Sequence, residues 1–143
     1  MIAKILHHLR PLIVSMLTIL LCFAVLDGIW LGLIAQSWYQ TEMASLLRNE
    51  FIQWPWLVFY LSYSAVVLVL TVIANREKPW WYAGIDGAFL GLASYGAYNL
   101  TNYSIIEGYS LFITLVDWSW GIFVTSMSAI AGWWGFNLKT KPN

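Results

Sequence analysis

Charged side chains are scarce in this chain: they form 10% of its 143 residues, seven basic and seven acidic. Soluble domains contain about a quarter charged residues. A formal net charge of zero excludes the basic surface expected of a nucleic-acid-binding protein. The single cysteine, Cys22, excludes an intrachain disulfide framework and a cysteine metal site. Hydrophobic residues form 60% of the sequence, which predicts an integral membrane protein.

Histidine is also scarce, since His7 and His8 are the only two and both precede the first apolar run. The apolar runs therefore contain no histidine, which excludes haem ligation by a buried imidazole. No zinc-protease motif, phosphate-binding glycine loop or nucleophile elbow occurs. The sequence thus indicates no particular cofactor and no dedicated metal site. Asp27, Asn99 and Asp117 offer only the oxygen ligands that a divalent cation prefers.

Four apolar segments are long enough to cross a membrane, which takes roughly 20 residues in a helix. We predict an all-α fold, a single membrane domain over residues 1–143 in which four transmembrane helices form an antiparallel bundle. The first run extends to Ile34, too far for the core of a secretory signal, so we expect no cleavage. The predicted spans are about residues 12–35, 54–75, 81–102 and 111–136.

Basic residues lie almost entirely on one side of this bundle. Arg48 alone falls in an outer loop. Short loops rich in lysine and arginine stay in the cytoplasm, so we expect a multi-pass protein of the cytoplasmic membrane with both termini inside. The six residues on the cytoplasmic side are Lys4, Arg10, Arg76, Lys78, Lys139 and Lys141.

The first outer connection, about residues 36–53, is too long for a tight turn. Within it Tyr39, Met43, Leu46 and Leu47 follow helical spacing. This stripe predicts a short helix lying on the outer membrane surface. Such a helix would act either as an interfacial strut or as a lid over an outward-facing cavity.

Two acidic residues interrupt the apolar runs: Asp27 in the first and Asp117 in the fourth. A carboxylate at the centre of a membrane costs about 2.5–3.5 kcal/mol on translocon scales, so it normally faces a protein interior or water. At the helical rise per residue, Asp27 lies roughly 12 Å and Asp117 roughly 9 Å inside the same outer boundary. We therefore expect both in one layer, where two carboxyls would tend to share a proton.

The third predicted span adds polar residues to this layer. Tyr95, Tyr98, Asn99 and Asn102 are spaced three or four residues apart, which places them on one helix face. The second span could contribute Tyr60 and Tyr63 from a similar depth. The layer could bind a proton or cation, orient a polar substrate or perform acid–base work. Alternatively, it only joins the helices by hydrogen bonds.

Tryptophans repeat around the two aspartates, because Trp30 follows Asp27 by three residues and Trp120 follows Asp117 by three. These indoles could stack on a ligand or cover a cation, or they could simply pack in the core. Gly87-x-x-x-Gly91 in the third span permits two helices to approach closely, within the bundle or in a dimer.

Three motifs on three spans resemble a bacterial family of small four-helix membrane proteins of unknown function, the DUF2177 family. The motifs are Asp27-Gly-Ile-Trp-Leu-Gly, Tyr95-Gly-Ala-Tyr-Asn-Leu-Thr-Asn and Asp117-Trp-Ser-Trp-Gly. The resemblance covers nearly the whole chain and implies a bacterial inner-membrane protein whose characteristic residues include these Asp, Trp, Tyr, Thr and Asn positions. It implies no particular activity.

Three functions remain open at this stage. The first is a homo-oligomeric protein that binds or passes a small solute or ion through the outer-half polar layer. The second is a membrane enzyme, or enzyme accessory, that acts on a lipid or another apolar substrate. The third is a non-catalytic membrane subunit whose aspartates specify assembly. The candidate binding residues are Asp27, Trp30, Tyr95, Tyr98, Asn99, Asn102, Asp117 and Trp120.

Overall fold

A computed structural model describes the backbone of residues 2–138 and the side chains of residues 9–138. Lys139 and Lys141, and the side chains of Lys4, His7 and His8, lie outside the described residues. All regular structure in the described part is helical. The main helices are α1 (Ile2–Ile29), α2 (Gln36–Glu42), α3 (Trp54–Val67), α4 (Trp80–Ile105) and α5 (Leu111–Asn137), with π-helical turns at Trp30–Ile34 and Leu68–Val72 and a 3₁₀ turn at Ile73–Asn75.

Three helical segments are long and apolar enough to cross a membrane: Leu9–Ile34, Trp54–Asn75 and Leu111–Asn137. They coincide with the first, second and fourth predicted spans. Helix α4 coincides with the third and has 26 residues, but it is not among the three segments. Its glycines, asparagines, tyrosines and Asp86 make it less apolar than the other three.

Helices α4 and α5 pack closely through small residues. A Cβ atom at Gly91 would overlap the backbone carbonyl oxygen of Gly121, and one at Gly87 would lie 2.9 Å from the Thr125 carbonyl oxygen. Ser126 Oγ donates a hydrogen bond to the Gly84 carbonyl at 2.8 Å. The glycine stripe of α4 therefore serves contacts within the chain, because only residues without a side chain let the two backbones approach so closely.

The apolar core lies towards the end of the bundle that carries the α3–α4 connection, which we call the inner half; the half that carries α2 is called the outer half. It joins α1 and α5 to α3 and the π-helical turn that follows α3. The side chains are closely packed, as is usual in protein interiors. On α1 the Ser15 hydroxyl donates to the Gly132 carbonyl at 2.8 Å. The fully buried apolar members are Ile19, Phe23, Val67, Val72, Val124 and Ala129.

Asn75 ties the inner ends of three helices together. Its Nδ2 atom donates to Asp86 Oδ2 at 2.6 Å, and its Oδ1 atom accepts from Lys78 Nζ at 3.1 Å. Trp133 Nε1 donates to the Asn75 backbone carbonyl at 3.0 Å. These bonds satisfy polar groups that the 3₁₀ turn leaves without helical partners.

Within residues 36–53, where the sequence predicts a short helix, α2 ends at Glu42 and turns follow. Met43 is buried against Tyr109 and Ile113, at the outer end of α5. Glu42 accepts a hydrogen bond of 2.6 Å from Ser110 Oγ. The first half of the predicted stripe thus docks on the bundle, whereas Leu46 and Leu47 remain exposed.

Candidate functional site

Asp27 lies at a junction of three helices, with 7% of its surface exposed. Its Oδ2 atom accepts a hydrogen bond of 2.7 Å from the Tyr60 hydroxyl of α3. Its Oδ1 atom accepts one of 2.7 Å from Trp120 Nε1 of α5. Each carboxylate oxygen therefore has a donor from a different neighbouring helix.

Asp117 has a second, separate set of donors. The Tyr39 hydroxyl of α2 donates to its Oδ1 atom at 2.6 Å, and Asn99 Nδ2 donates to its Oδ2 atom at 2.7 Å. Asn99 is fully buried, and its Oδ1 atom accepts a longer bond of 3.4 Å from the Tyr109 hydroxyl. The outer loop, α4 and α5 thus meet at this carboxylate.

All these donors are uncharged: phenols, an indole and an amide. Among residues 9–138, no basic side chain forms an ion pair with Asp27 or Asp117. The hydrogen bonds of the described residues include none between the two carboxyls, and each of their four oxygens accepts from one of the donors above. The site therefore consists of two neighbouring carboxyl clusters with no cation from the described residues to balance them.

Trp30 and Trp120 bring the two Asp-x-x-Trp motifs into contact. Their rings are stacked, with centroids 4.5 Å apart and planes inclined by 4°. Trp120 donates to Asp27, but the Nε1 atom of Trp30 is buried without a hydrogen-bond partner in the described part of the chain. The two Asp-x-x-Trp motifs thus meet side by side on antiparallel helices, and only one of them uses its indole nitrogen.

Tyr39 is half-buried outside the spanning segments, and burial raises the pKa of its hydroxyl above the ordinary value. The negative charge of Asp117 and the hydrogen bond to it act in the same direction. The Trp30 indole favours the ionised form, although the pair does not reach hydrogen-bond geometry. Tyr39 therefore remains a proton donor to Asp117 over a wide pH range.

The remaining predicted residues of α4 occupy different positions. The half-buried Tyr95 ring fills the space above Gly121 and meets the Tyr63 ring at a centroid distance of 6.2 Å. Tyr98 is 59% exposed, whereas its neighbour Asn99 is fully buried. Tyr98 and Asn102 lie beside Tyr109, whose pKa is raised mainly by burial and then by Tyr98, with Asn102 opposing. These two are therefore peripheral, and neither bonds to a carboxylate.

An open cleft of about 550 Å³ adjoins the stacked indoles. It lies between the start of α2 and the outer half of α5. Most of its wall is aromatic, and Trp38 and Phe123 remain partly exposed at its mouth. The only hydroxyl on the wall, Ser119 Oγ, donates to the Leu115 carbonyl at 2.8 Å. The lining residues are Trp30, Trp38, Leu115, Val116, Ser119, Trp120 and Phe123.

Two residues of the site differ from what the sequence suggests. The sequence places Tyr39 on the apolar stripe of the outer loop. It places Tyr109 among the aromatic residues of the predicted outer interface. In the structure both hydroxyls belong to the Asp117 cluster. The only signal that could identify them is that phenols in outer loops can reach a carboxyl lying just inside the membrane.

The described residues contain no group of three histidine, cysteine, aspartate or glutamate side chains that could hold a metal ion. The oxygen atoms of Asp27 and Asp117 are the strongest candidate cation ligands. They belong to separate hydrogen-bonded clusters.

The family described as "Predicted membrane protein (DUF2177)" matches residues 12–134, which include all the residues of the site. Comparison with curated proteins produced no match. Comparison with solved structures also produced none. Because the family match covers most of the sequence, the chain belongs to this family of membrane proteins.

Proposed function

We propose that four helices of this chain cross the cytoplasmic membrane of a bacterium, with both termini in the cytoplasm. Helix α4 has 26 residues, and at the helical rise it spans about 39 Å, more than the hydrocarbon core. Its polar character fits a crossing helix whose glycines and Asn99 are buried within the bundle. Arg76 and Lys78 join α3 to α4 on the side where the positive-inside rule places cytoplasm.

The site in the outer half of this bundle binds a cation, either a proton or a small cationic solute. One observation supports this function above all: among the described residues, the hydrogen-bond donors to Asp27 and Asp117 are all uncharged. Neutral donors stabilise a buried carboxylate but leave its charge uncompensated. Inside a membrane such a charge is neutralised by a proton or by a bound cation.

The outer segment Gln36–Glu42 acts as a lid on this site. Tyr39 of this segment donates a hydrogen bond to Asp117. Glu42, at the end of the segment, accepts one from Ser110, which immediately precedes α5. The π-helical turn at Trp30–Ile34 joins the lid to α1, and such turns frequently occur at functional sites. Release of these hydrogen bonds would open the Asp117 cluster to the outer surface.

The packing of the inner half of the bundle favours binding of a cation over its passage through a single chain. Fully buried Val67, Val72 and Val124 fill the space below the polar layer. This apolar layer would block a hydrated ion, because an unpaired charge is strongly disfavoured there. Movement of a solute to the cytoplasm would therefore require a second copy of the chain, and we propose a homo-oligomer for that step.

The test is proton release from purified protein in a weakly buffered detergent solution. Chlorides of sodium, potassium, magnesium and tetramethylammonium are added in turn, and a pH-indicator dye records protons displaced from the site. Asp27→Asn with Asp117→Asn should abolish the release. Asp86→Asn is the matched control, because this carboxyl pairs with Asn75 at the other end of the bundle.

Infrared difference spectroscopy supplies the second readout, since protonated and ionised carboxyls absorb at different frequencies. We expect a change in carboxyl protonation that disappears in the double variant and persists in Asp86→Asn. If no cation releases protons and neither carboxyl changes protonation across the physiological pH range, the proposed binding function is wrong.

A second candidate function is supported by the cleft, which opens where Trp38 and Phe123 are exposed. A membrane enzyme or enzyme accessory would admit an apolar substrate there and use Asp27 for acid–base work. Deletion and overexpression should then change the lipid composition of the cells in opposite directions. An unchanged lipid composition in both strains would count against this function.

A further inference from the structure

The aromatic cleft beside Trp120 combines an apolar wall with a nearby carboxyl. No charged side chain among the described residues lines this open cleft, whose volume is about 550 Å³. Trp38 and Phe123 flank the mouth, with exposed fractions of 37% and 47%. A ligand can therefore reach the cleft from the side of the bundle, through the lipid phase.

Charge complementarity determines which apolar ligand fits. Trp120 forms part of the wall, and its Nε1 atom donates at 2.7 Å to Asp27, which is not itself a lining residue. Donation to a carboxylate makes the indole ring richer in electrons. This strengthens the attraction between the ring face and a cation. Because the surroundings have a low dielectric constant, the charge of Asp27 also acts through the ring.

We propose that this cleft binds a lipophilic organic cation, a quaternary or protonated onium group on an apolar body, that enters from the outer leaflet. The proposal rests on the cation-binding function proposed above and names its substrate class. The aromatic wall would hold the apolar body, while Asp27 would balance the positive charge through Trp120. A lipophilic anion of the same size would meet the same walls but would be repelled by the carboxylate.

Tetraphenylphosphonium and tetraphenylborate are suitable probes, because they match in size and shape and differ in the sign of their charge. Binding of each is measured by equilibrium dialysis with purified protein in a neutral maltoside detergent, and uptake by empty micelles is subtracted. We expect the phosphonium ion to bind at least about tenfold more tightly than the borate, a ratio typical of an uncompensated charge in a weakly screened site.

Variants at the mouth of the cleft test its location. Trp38→Leu and Phe123→Leu should each weaken phosphonium binding by about two- to tenfold, the effect of one lost cation–aromatic contact. Trp134→Leu is the matched control, since Trp134 is 56% exposed and lines a different groove in the inner half. It should leave the affinity unchanged. Unaltered elution volume and circular dichroism show that each variant is folded.

Asp27→Asn tests the role of the charge and should reduce the preference for phosphonium over borate to near unity. Equal affinities of the wild type for the two probes would overturn the proposal, because apolar partitioning would then explain the binding. Equal effects of Trp38→Leu and Trp134→Leu would also overturn it. Proton release by small inorganic cations does not require Trp38 or Phe123, so the proposed cation-binding function would survive either result.

Discussion

The indole rings of Trp30 and Trp120 lie parallel, with their centroids 4.5 Å apart, although 90 residues separate them in the sequence. Each follows an aspartate by three residues on its own helix, and the two helices run in opposite directions. The stack therefore brings the two Asp-x-x-Trp motifs together. Trp120 donates to Asp27, and Tyr39 of the outer segment donates to Asp117.

The first prediction concerns the lid. Tyr39→Phe keeps the ring but removes the hydroxyl that donates to Asp117. A hydrogen bond to a charged group contributes about 1.5–3 kcal/mol, so the segment Gln36–Glu42 should open at least about tenfold more often. Hydrogen–deuterium exchange measures this as faster exchange of its amides. Tyr103→Phe, at an exposed site in the outer half, is the control, and equal exchange in both variants would contradict the prediction.

The second prediction is a loss of stability at alkaline pH that depends on Tyr39. Its pKa is raised in the folded protein, mainly by burial, and is ordinary in the unfolded chain. The stabilisation is therefore complete below the unfolded pKa of about 10 and declines as pH rises towards the folded value. Above a pH of about 10, the free energy of unfolding of the wild type should fall as pH rises. The free energy of unfolding of Tyr39→Phe should fall by less over the same pH range. Parallel curves would show that Tyr39 does not contribute.

The third prediction concerns the contact between α4 and α5. Gly91→Ala places a Cβ atom against the Gly121 backbone, where no flexible side chain can yield, so the free energy of unfolding should fall by about 1–3 kcal/mol. Gly28→Ala is the control, because nothing lies within 4 Å of a Cβ atom there. That change should be neutral or stabilise α1 by up to about 1 kcal/mol. The measurement is denaturation in mixed micelles.

The sequence is sufficient to predict most of the fold but only part of the site. Apolar runs predict the helices, since the length of a membrane-crossing helix is fixed by the bilayer. The depth of Asp27 and the spacing of Asn99 predict polar residues in one layer, and both side chains take part in carboxyl clusters. Spacing on one helix does not determine which neighbour a side chain meets, however. The separate donor sets of the two aspartates depend on helix rotation and on the docking of Tyr39, which only the assembled bundle determines.

The last prediction separates the roles of the two stacked tryptophans. Trp120→Phe and Trp30→Phe both retain an aromatic ring in the stack and remove a similar volume. Only Trp120→Phe removes a hydrogen-bond donor to Asp27, since the Trp30 nitrogen has no partner among the described residues. Loss of a donor to a buried carboxylate should cost about 1–3 kcal/mol beyond the loss of ring area. Denaturation in mixed micelles should therefore show Trp120→Phe to be the less stable variant by that margin.

Replacing Asp27 with Asn should reduce the difference, because the bond to Trp120 then no longer involves a charge. If the two tryptophan variants are equally stable, the stack contributes only packing and the indole of Trp120 does not position the carboxyl.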